Sequence, residues 1–309
     1  MNGPALVLQG LRKTYKGHLS LTSREVIRGL DLTVEPGEVF GLLGQNGAGK
    51  TTTLKLILSL IFPDAGVIRL FGEESSRVAV RSRIGFLPEN PFFYDYLTGR
   101  EFLDFYGQLF GFDRAARQAR AAAILDRVGM ASRADLPLRK YSKGMLQRIG
   151  MAQALLNDPD LVILDEPMSG LDPIGRREFR DIILELKGRG KTVFFSSHIL
   201  SDAEAICDRI GILKDGRLAR CGRLPELLPP DVRSWEVAFA GPAWETLAAR
   251  GARAERISTR GSETLVKVAG PAELEGLLDA LRSAGARLIA VTPRRDTLED
   301  LYLREVGGR

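Results

Sequence analysis

Gly41–Leu60, GLLGQNGAGKTTTLKLILSL, passes from a glycine-rich turn directly into an apolar stretch. Glycine loses more backbone freedom on ordering than any other residue, and a lysine at a helix N-terminus opposes the helix dipole. Both costs are offset if an anion sits in the turn. Gly44-Gln45-Asn46-Gly47-Ala48-Gly49-Lys50-Thr51 fits the pattern G-x-x-x-x-G-K-[ST] of a phosphate-binding loop. Its glycines let successive backbone N–H groups turn inward around a phosphate, and the helix behind adds its own unpaired N–H groups. Lys50 is expected to reach the β- and γ-phosphates and the Thr51 hydroxyl to ligate Mg²⁺, with Thr52 a further contact in the first helical turn. Val39–Leu43 reads as a buried strand, and Thr53–Ile61 as a helix with Leu54, Leu56, Ile57 and Leu60 on its inner side. With strand before and helix after, the turn reads as a nucleotide site and not as a bare glycine loop.

The chain around this loop has 309 residues, comfortable for two domains. A charged fraction of 27% with 44% hydrophobic residues marks an ordinary globular protein. No apolar run approaches the roughly 18 residues needed to cross a bilayer, and MNGPALVLQG lacks the basic start and apolar core of a signal peptide. Cys207 and Cys221 suggest no disulfide framework, so a cytoplasmic setting is expected. The net charge of +5 is not gathered into an arm: residues 220–309 carry 14 Lys and Arg against 13 Asp and Glu. No nucleic-acid partner is expected on that distribution.

Short β-type runs dominate the start: Ala5–Gln9, Leu30–Val34, the loop strand and Gly66–Leu70. From about residue 90 to 160 the pattern turns helical, with Phe102, Leu103, Phe105, Tyr106, Leu109 and Phe110 at three-to-four spacing. Strand signals return at Leu161–Leu164 and Thr192–Phe195, with an amphipathic helix from Arg176 to Lys187 between them. The tandem prolines Pro229-Pro230 break both periodic structures and divide the chain into a first domain, 1–228, and a second, 229–309. The second reads strand (234–239), helix (243–250), strand (252–258), strand (264–269), helix (272–284), strand (287–292), which is the ferredoxin-like βαββαβ order. The expected fold is therefore an α/β phosphate-loop core with a helical insertion, followed by a small α+β domain.

A second signature lies at Leu161-Val162-Ile163-Leu164-Asp165-Glu166. An apolar strand here delivers two carboxylates at its end. Asp165 is suited to hold Mg²⁺ directly or through water, and Glu166 to accept a proton from an attacking water. Downstream of a phosphate loop, two adjacent acids point to hydrolysis more than to chance.

Tyr141-Ser142-Lys143-Gly144-Met145-Leu146-Gln147-Arg148 comes just before that strand. Together with the loop, Asp165-Glu166-Pro167, Ser169-Gly170-Leu171-Asp172 and Ser196-Ser197-His198, it resembles the ATP-binding subunit of an ABC transporter over about residues 4–222. The resemblance is strongest to the ATPase subunits of bacterial exporters. It implies that Tyr15 stacks on adenine and that Ser142 and Gly144 contact the γ-phosphate held by an opposite subunit. It also implies that the Asp172 loop crosses the dimer interface and that His198 holds the γ-phosphate and the attacking water. The ligands implied are ATP and Mg²⁺. The partners implied are a second cassette, identical or paralogous, and a separately encoded transmembrane permease, with this chain peripheral on the inner face of the membrane. Two motifs depart from the family pattern: Glu89 stands where glutamine is usual, and Lys143 and Met145 alter the Leu-Ser-Gly-Gly-Gln signature. Glu89 is a further candidate metal contact. The aromatic run Pro91-Phe92-Phe93-Tyr94-Asp95-Tyr96-Leu97 neither alternates nor repeats helically, so some of its rings are expected to face outward. A soluble ABC-type mechanical ATPase in DNA repair or translation is the rival reading. A nucleotide-binding module without turnover is a second rival, which Glu166 and His198 oppose.

Overall fold

The structure is a computed structural model, and it describes residues 3–16, 23–229, 231–242, 244–249 and 253–307. His18, Pro230 and the expected element ends at Ala243, Arg250 and Ala252 lie outside the described residues. The chain divides into two compact units, Met1–Leu224 and Pro225–Arg309.

In the first unit β1 (Leu6–Lys16) and β2 (Ser23–Val34) form an antiparallel ribbon, β3 (Val39–Leu43) enters the glycine loop and α1 (Lys50–Ile57) leaves it. Next come β4 (Ala65–Leu70), β5 (Glu73–Glu74), α2 (Val78–Arg81) and β6 (Ile84–Leu87). Helices α3 (Gly99–Leu109), α4 (Arg114–Arg127) and α5 (Lys143–Leu155) form the insertion, followed by β7 (Leu161–Asp165), α6 (Pro173–Gly188), β8 (Thr192–Ser197), α7 (Leu200–Ile206), β9 (Arg209–Lys214) and β10 (Arg217–Arg223), with the short α8 (Leu224–Leu227) at the boundary of the two units. The central sheet has the order β10-β9-β3-β8-β7-β6 and is parallel except for β10. A smaller antiparallel sheet runs β2-β1-β4-β5.

The central strands β3 and β7 are buried at every position, as strands of a parallel sheet covered on both faces must be. That continuous apolar character made them easy to read. The ribbon differs from the sequence reading because β1 and β2 extend well beyond Ala5–Gln9 and Leu30–Val34. Gly10, at φ 56°, sits in an irregularity of the β1–β2 register and donates its N–H to Asp31 Oδ1 at 2.7 Å, so the strand continues through a bulge. Helix α1 also ends earlier than expected. Ser59 adopts φ 53° and Leu60 N–H bonds back to Lys55 O at 2.9 Å, closing the helix. Leu60 is consequently 60% exposed and not on the inner side, while Leu54, Leu56 and Ile57 are buried.

Side-chain caps fix the inserted segment and its neighbour, among them Asp113 at α4, which accepts from Ala116 N–H. Thr98 and Glu101 form a capping box at α3, Ser142 caps α5 by accepting from Met145 N–H, and Asp172 caps α6 by accepting from Gly175 N–H, with Pro173 in the first turn.

In the second unit β11 (Ser234–Ala240), α9 (Trp244–Ala249), β12 (Glu255–Arg260), β13 (Glu263–Val268), α10 (Pro271–Ser283) and β14 (Arg287–Arg294) follow the βαββαβ order. The antiparallel sheet runs β12-β13-β11-β14 over its own core of Val237, Phe239, Leu247, Val266, Val268, Leu277 and Leu281. A terminal helix, α11 (Leu298–Gly307), lies beyond the expected pattern.

Candidate functional site

Two glycines shape the loop. A Cβ on Gly44 would stand 2.7 Å from the Leu213 carbonyl oxygen, and Gly49 holds φ 112°, with a Cβ there only 2.7 Å from Ile27 Cδ1. Other residues at these two positions would push the loop off β2 and β9. Asn46 and Gly47 form its outer lip, and Ala48 anchors it through a 3.1 Å N–H bond to Gln45 O.

Above the loop opens a cavity of about 570 Å³. The loop supplies its floor through Gly47, Gly49, Lys50, Thr51 and Thr52, while Glu89, Glu166 and His198 come from three other segments of the chain. Lys50 is 6% exposed; its ammonium donates to Gly44 O at 2.7 Å and Gln45 O at 3.3 Å and pairs with Glu166 Oε1 at 3.1 Å. The other carboxylate oxygen, Glu166 Oε2, lies 2.7 Å from His198 Nδ1 and accepts the His198 backbone N–H at 3.3 Å. Lysine, glutamate and histidine thus form one continuous chain across the mouth of the loop. A buried charged pair is sustained only with good geometry and extra hydrogen bonds, and both partners here have them.

Glu166 sits at φ 49°, a left-handed backbone uncommon for a residue with a Cβ. Buried Ser196 holds it there: Glu166 N–H donates to Ser196 Oγ at 3.0 Å, and Ser196 Oγ donates to Asp165 Oδ1 at 2.6 Å. The same Asp165 oxygen accepts the Thr51 hydroxyl at 3.2 Å. These two hard oxygen donors, side by side at the start of α1, suit Mg²⁺, which takes one or two protein oxygens and completes its octahedron with water and phosphate. Glu89 lies on the cavity wall, but it is not joined to Thr51 or Asp165, and among the described residues no group of three or more acidic, histidine or cysteine side chains is gathered as a metal cage. Of the foreseen metal contacts Thr51, Asp165 and Glu89, the first two are bonded directly to each other and Glu89 lies on the cavity wall. Its strand β6 pairs with β7, but Glu89 lies two residues beyond the end of β6.

Several expected residues do not line this cavity. Tyr15, near the end of β1, is 41% exposed, with the Lys13 ammonium 5.9 Å from its ring centre. Ser142 and Gly144 occupy the start of α5 and Asp172 the start of α6, and none of the three is among the residues lining the cavity. The aromatic run divides: Phe92, Tyr94 and Tyr96 are 82%, 38% and 64% exposed, whereas Phe93 packs on Phe102 with ring centres 5.3 Å apart.

The sequence did not disclose the roles of Arg24 in the cavity wall, Ser196, or Gln147, a buried amide whose Nε2 donates to Pro167 O at 3.0 Å. Hydroxyls at the end of the wholly buried strand β8, and a polar residue between Met145 and Ile149, were the available signals.

Comparison with known proteins agrees with this geometry. The family described as "ABC transporter" matches residues 27–169. An uncharacterised ABC transporter ATP-binding protein of Synechocystis sp. is 47% identical over 287 residues, covering 92% of this chain and 79% of that protein. A Nod factor export ATP-binding protein I of Ralstonia nicotianae is 34% identical over 310 residues, covering 98% and 94%. Among solved structures, an ATP-binding subunit of an ABC transporter superposes with a TM-score of 0.64 at 32% identity, covering 72% of this chain and 91% of that one. A dimeric ATP-binding cassette in a post-hydrolysis state with ADP and Pi gives 0.66 at 25% identity, covering 71% and 98%. On a lysine, a glutamate and a histidine joined across a phosphate loop, and on relatives of this identity and coverage, the chain belongs to the ABC transporter ATP-binding proteins and is an ATPase of that family.

Proposed function

We propose that this chain energises an exporter. Two copies, or one copy and a paralogue, close head to tail on two ATP molecules at the inner face of a cell membrane, and a separate transmembrane permease follows their opening and closing. The observation that carries this reading is the Lys50–Glu166–His198 chain at the mouth of the loop.

Lys50 is the cation for the β- and γ-phosphates. A triphosphate in the loop gives Lys50 a stronger anionic partner than Glu166, because charge-assisted bonds to phosphate are the strong ones. Glu166 Oε1 is then released to take a proton from water. The water oxygen bonds to the γ-phosphorus, the bond to the bridging oxygen breaks, and ADP leaves with the electron pair. His198 steadies the carboxylate through Oε2 and faces the γ-phosphate with its ring. Thr51 and Asp165 would hold Mg²⁺, which when bound neutralises charge on the phosphate oxygens. Glu89, on the same wall, senses that charge.

The positions of Ser142, Gly144 and Asp172 at helix starts outside their own cavity support a role across the dimer. A helix N-terminus presents free N–H groups suited to a γ-phosphate, so α5 of one subunit would complete the site of the other. Tyr15 supplies the face for adenine. Exposed rings at Phe92, Tyr94 and Tyr96 support a docking surface for the permease, and no described helix is long and apolar enough to cross a membrane itself. The export role named for the Ralstonia relative favours the outward direction. The first domain, 1–228, carries the chemistry, and the second adds dimer contact or regulation.

Co-purification tests the proposal. The tagged chain should be recovered from detergent-solubilised membranes with a polytopic partner that stimulates its ATPase. Recovery on ribosomes or DNA, with none at the membrane, would overturn it in favour of a mechanical ATPase.

A further inference from the structure

Strand β2 runs beside the cavity and contributes Arg24 and Val26 to its wall. Residues two apart on a strand share a face, and directly paired residues of adjacent strands stand side by side. Arg24 pairs with Tyr15 of β1, so the two side chains leave the ribbon together. The Arg24 guanidinium reaches over the glycine loop, with one terminal nitrogen 3.9 Å from where a Cβ on Gly47 would stand. Nearby arginines of the ribbon are engaged elsewhere: Arg12 pairs with Glu25 at 2.9 Å, and Arg28 Nε donates to Glu25 O at 3.3 Å. Among the described residues the Arg24 guanidinium has no ion pair or hydrogen bond.

The charges around the loop make this cation matter. Lys50 is matched by Glu166, and Glu89 adds a second carboxylate to the wall. Without Arg24 these side chains present a net negative surface to a polyanion. With it they are balanced, the Arg24 guanidinium standing near Gly47 while the Lys50 ammonium bonds to Gly44 O and Gln45 O. Arginine is suited to this position because its planar fork stays charged and donates to two phosphate oxygens at once.

We propose that Arg24 is a nucleotide-binding residue that clamps the polyphosphate from the side opposite Lys50. The alternative use of an arginine beside Tyr15 is stacking on the base, and the two differ in what they recognise. A phosphate contact acts on ATP and ADP and is screened by salt, whereas a base contact acts equally on adenosine. The inference rests on the reading of this cavity as the ATP site.

The test is equilibrium binding of ATP, ADP and adenosine to the full chain, with adenosine measured by competition. Arg24 is exposed, so Arg24→Ala leaves the core untouched, and Arg24→Lys retains the charge. Arg24→Ala should weaken ATP and ADP about tenfold, as expected for one partly solvated charge-assisted bond, and leave adenosine within about twofold. Arg24→Lys should recover part of the loss, and the difference between variants should shrink in high salt. Unchanged ATP affinity in Arg24→Ala, or an equal loss for adenosine, overturns the clamp. Lys50→Ala in the same assay separates the two failures. If it abolishes ATP binding while Arg24→Ala does nothing, only the clamp falls; if it too binds normally, the site itself is wrongly assigned.

Discussion

Ser196→Ala removes one oxygen from the least visible part of the site. Ser196 is fully buried, accepts the Glu166 N–H at 3.0 Å and donates to Asp165 Oδ1 at 2.6 Å. A buried N–H left without a partner costs about 1–3 kcal/mol, and a hydrogen bond to a carboxylate contributes about 1.5–3 kcal/mol. Asp165 keeps its Thr51 bond, so we take the lower part of the combined range, about 3 kcal/mol. For a unit near 200 residues each kcal/mol moves the melting temperature by roughly 2–4 °C, which gives a fall of about 6–12 °C in a calorimetric scan of the nucleotide-free chain. Turnover should fall at least about tenfold, because the same bond holds Glu166 in its left-handed backbone and a small misplacement of a catalytic group is costly. A melting temperature within about 2 °C of the parent together with normal turnover would show that Ser196 positions nothing.

Glu89→Ala should raise the Mg²⁺ concentration needed for half-maximal ATPase severalfold and uncouple hydrolysis from transport; superimposable Mg²⁺ titrations would remove Glu89 from the metal's surroundings. Phe92→Ala and Tyr94→Ala should leave the basal ATPase of the isolated subunit intact and abolish its stimulation by the permease. Phe93→Ala, whose ring packs on Phe102, should instead lower the melting temperature, and normal coupling in the first two variants would refute the docking surface. A chain of residues 1–228 should fold and bind ATP, since the second unit has a core of its own; a soluble truncation that binds no nucleotide would count against the division.

What could be read from sequence follows from where the determining forces are local. The strands ending at Leu43 and Asp165 are continuous apolar runs beside residues of special chemistry, so their reading as buried strands was legible. The βαββαβ order of the second unit was legible for the same reason, through period-two and helical patterns. Leu60 was misread because helical periodicity persists past Ile57, while the stop comes from Ser59 turning left-handed, which no apolar pattern announces. The start of helix α11 is marked by Thr297 and Asp300, a capping pair with Thr297 N–H donating to Asp300 Oδ2 at 2.9 Å. Arg24 was invisible because its relation to the loop depends on the β1–β2 register, a pairing that no local pattern announces. Ser196 shows in the sequence only as a hydroxyl two residues before His198, whereas its work, joining two acids that are adjacent in sequence, is set by the fold.

The central claim is that Glu166 takes the proton while ATP holds two cassettes together, and Glu166→Gln tests it most directly. Glutamine keeps the shape and hydrogen bonding of Glu166 but cannot serve as the base. Light scattering after size exclusion, with Mg·ATP and nucleotide quantified in the peak, should give a dimer containing two ATP and hydrolysis reduced to near background. A species that stays monomeric with ATP bound, or that turns over near the parent rate, would contradict the account.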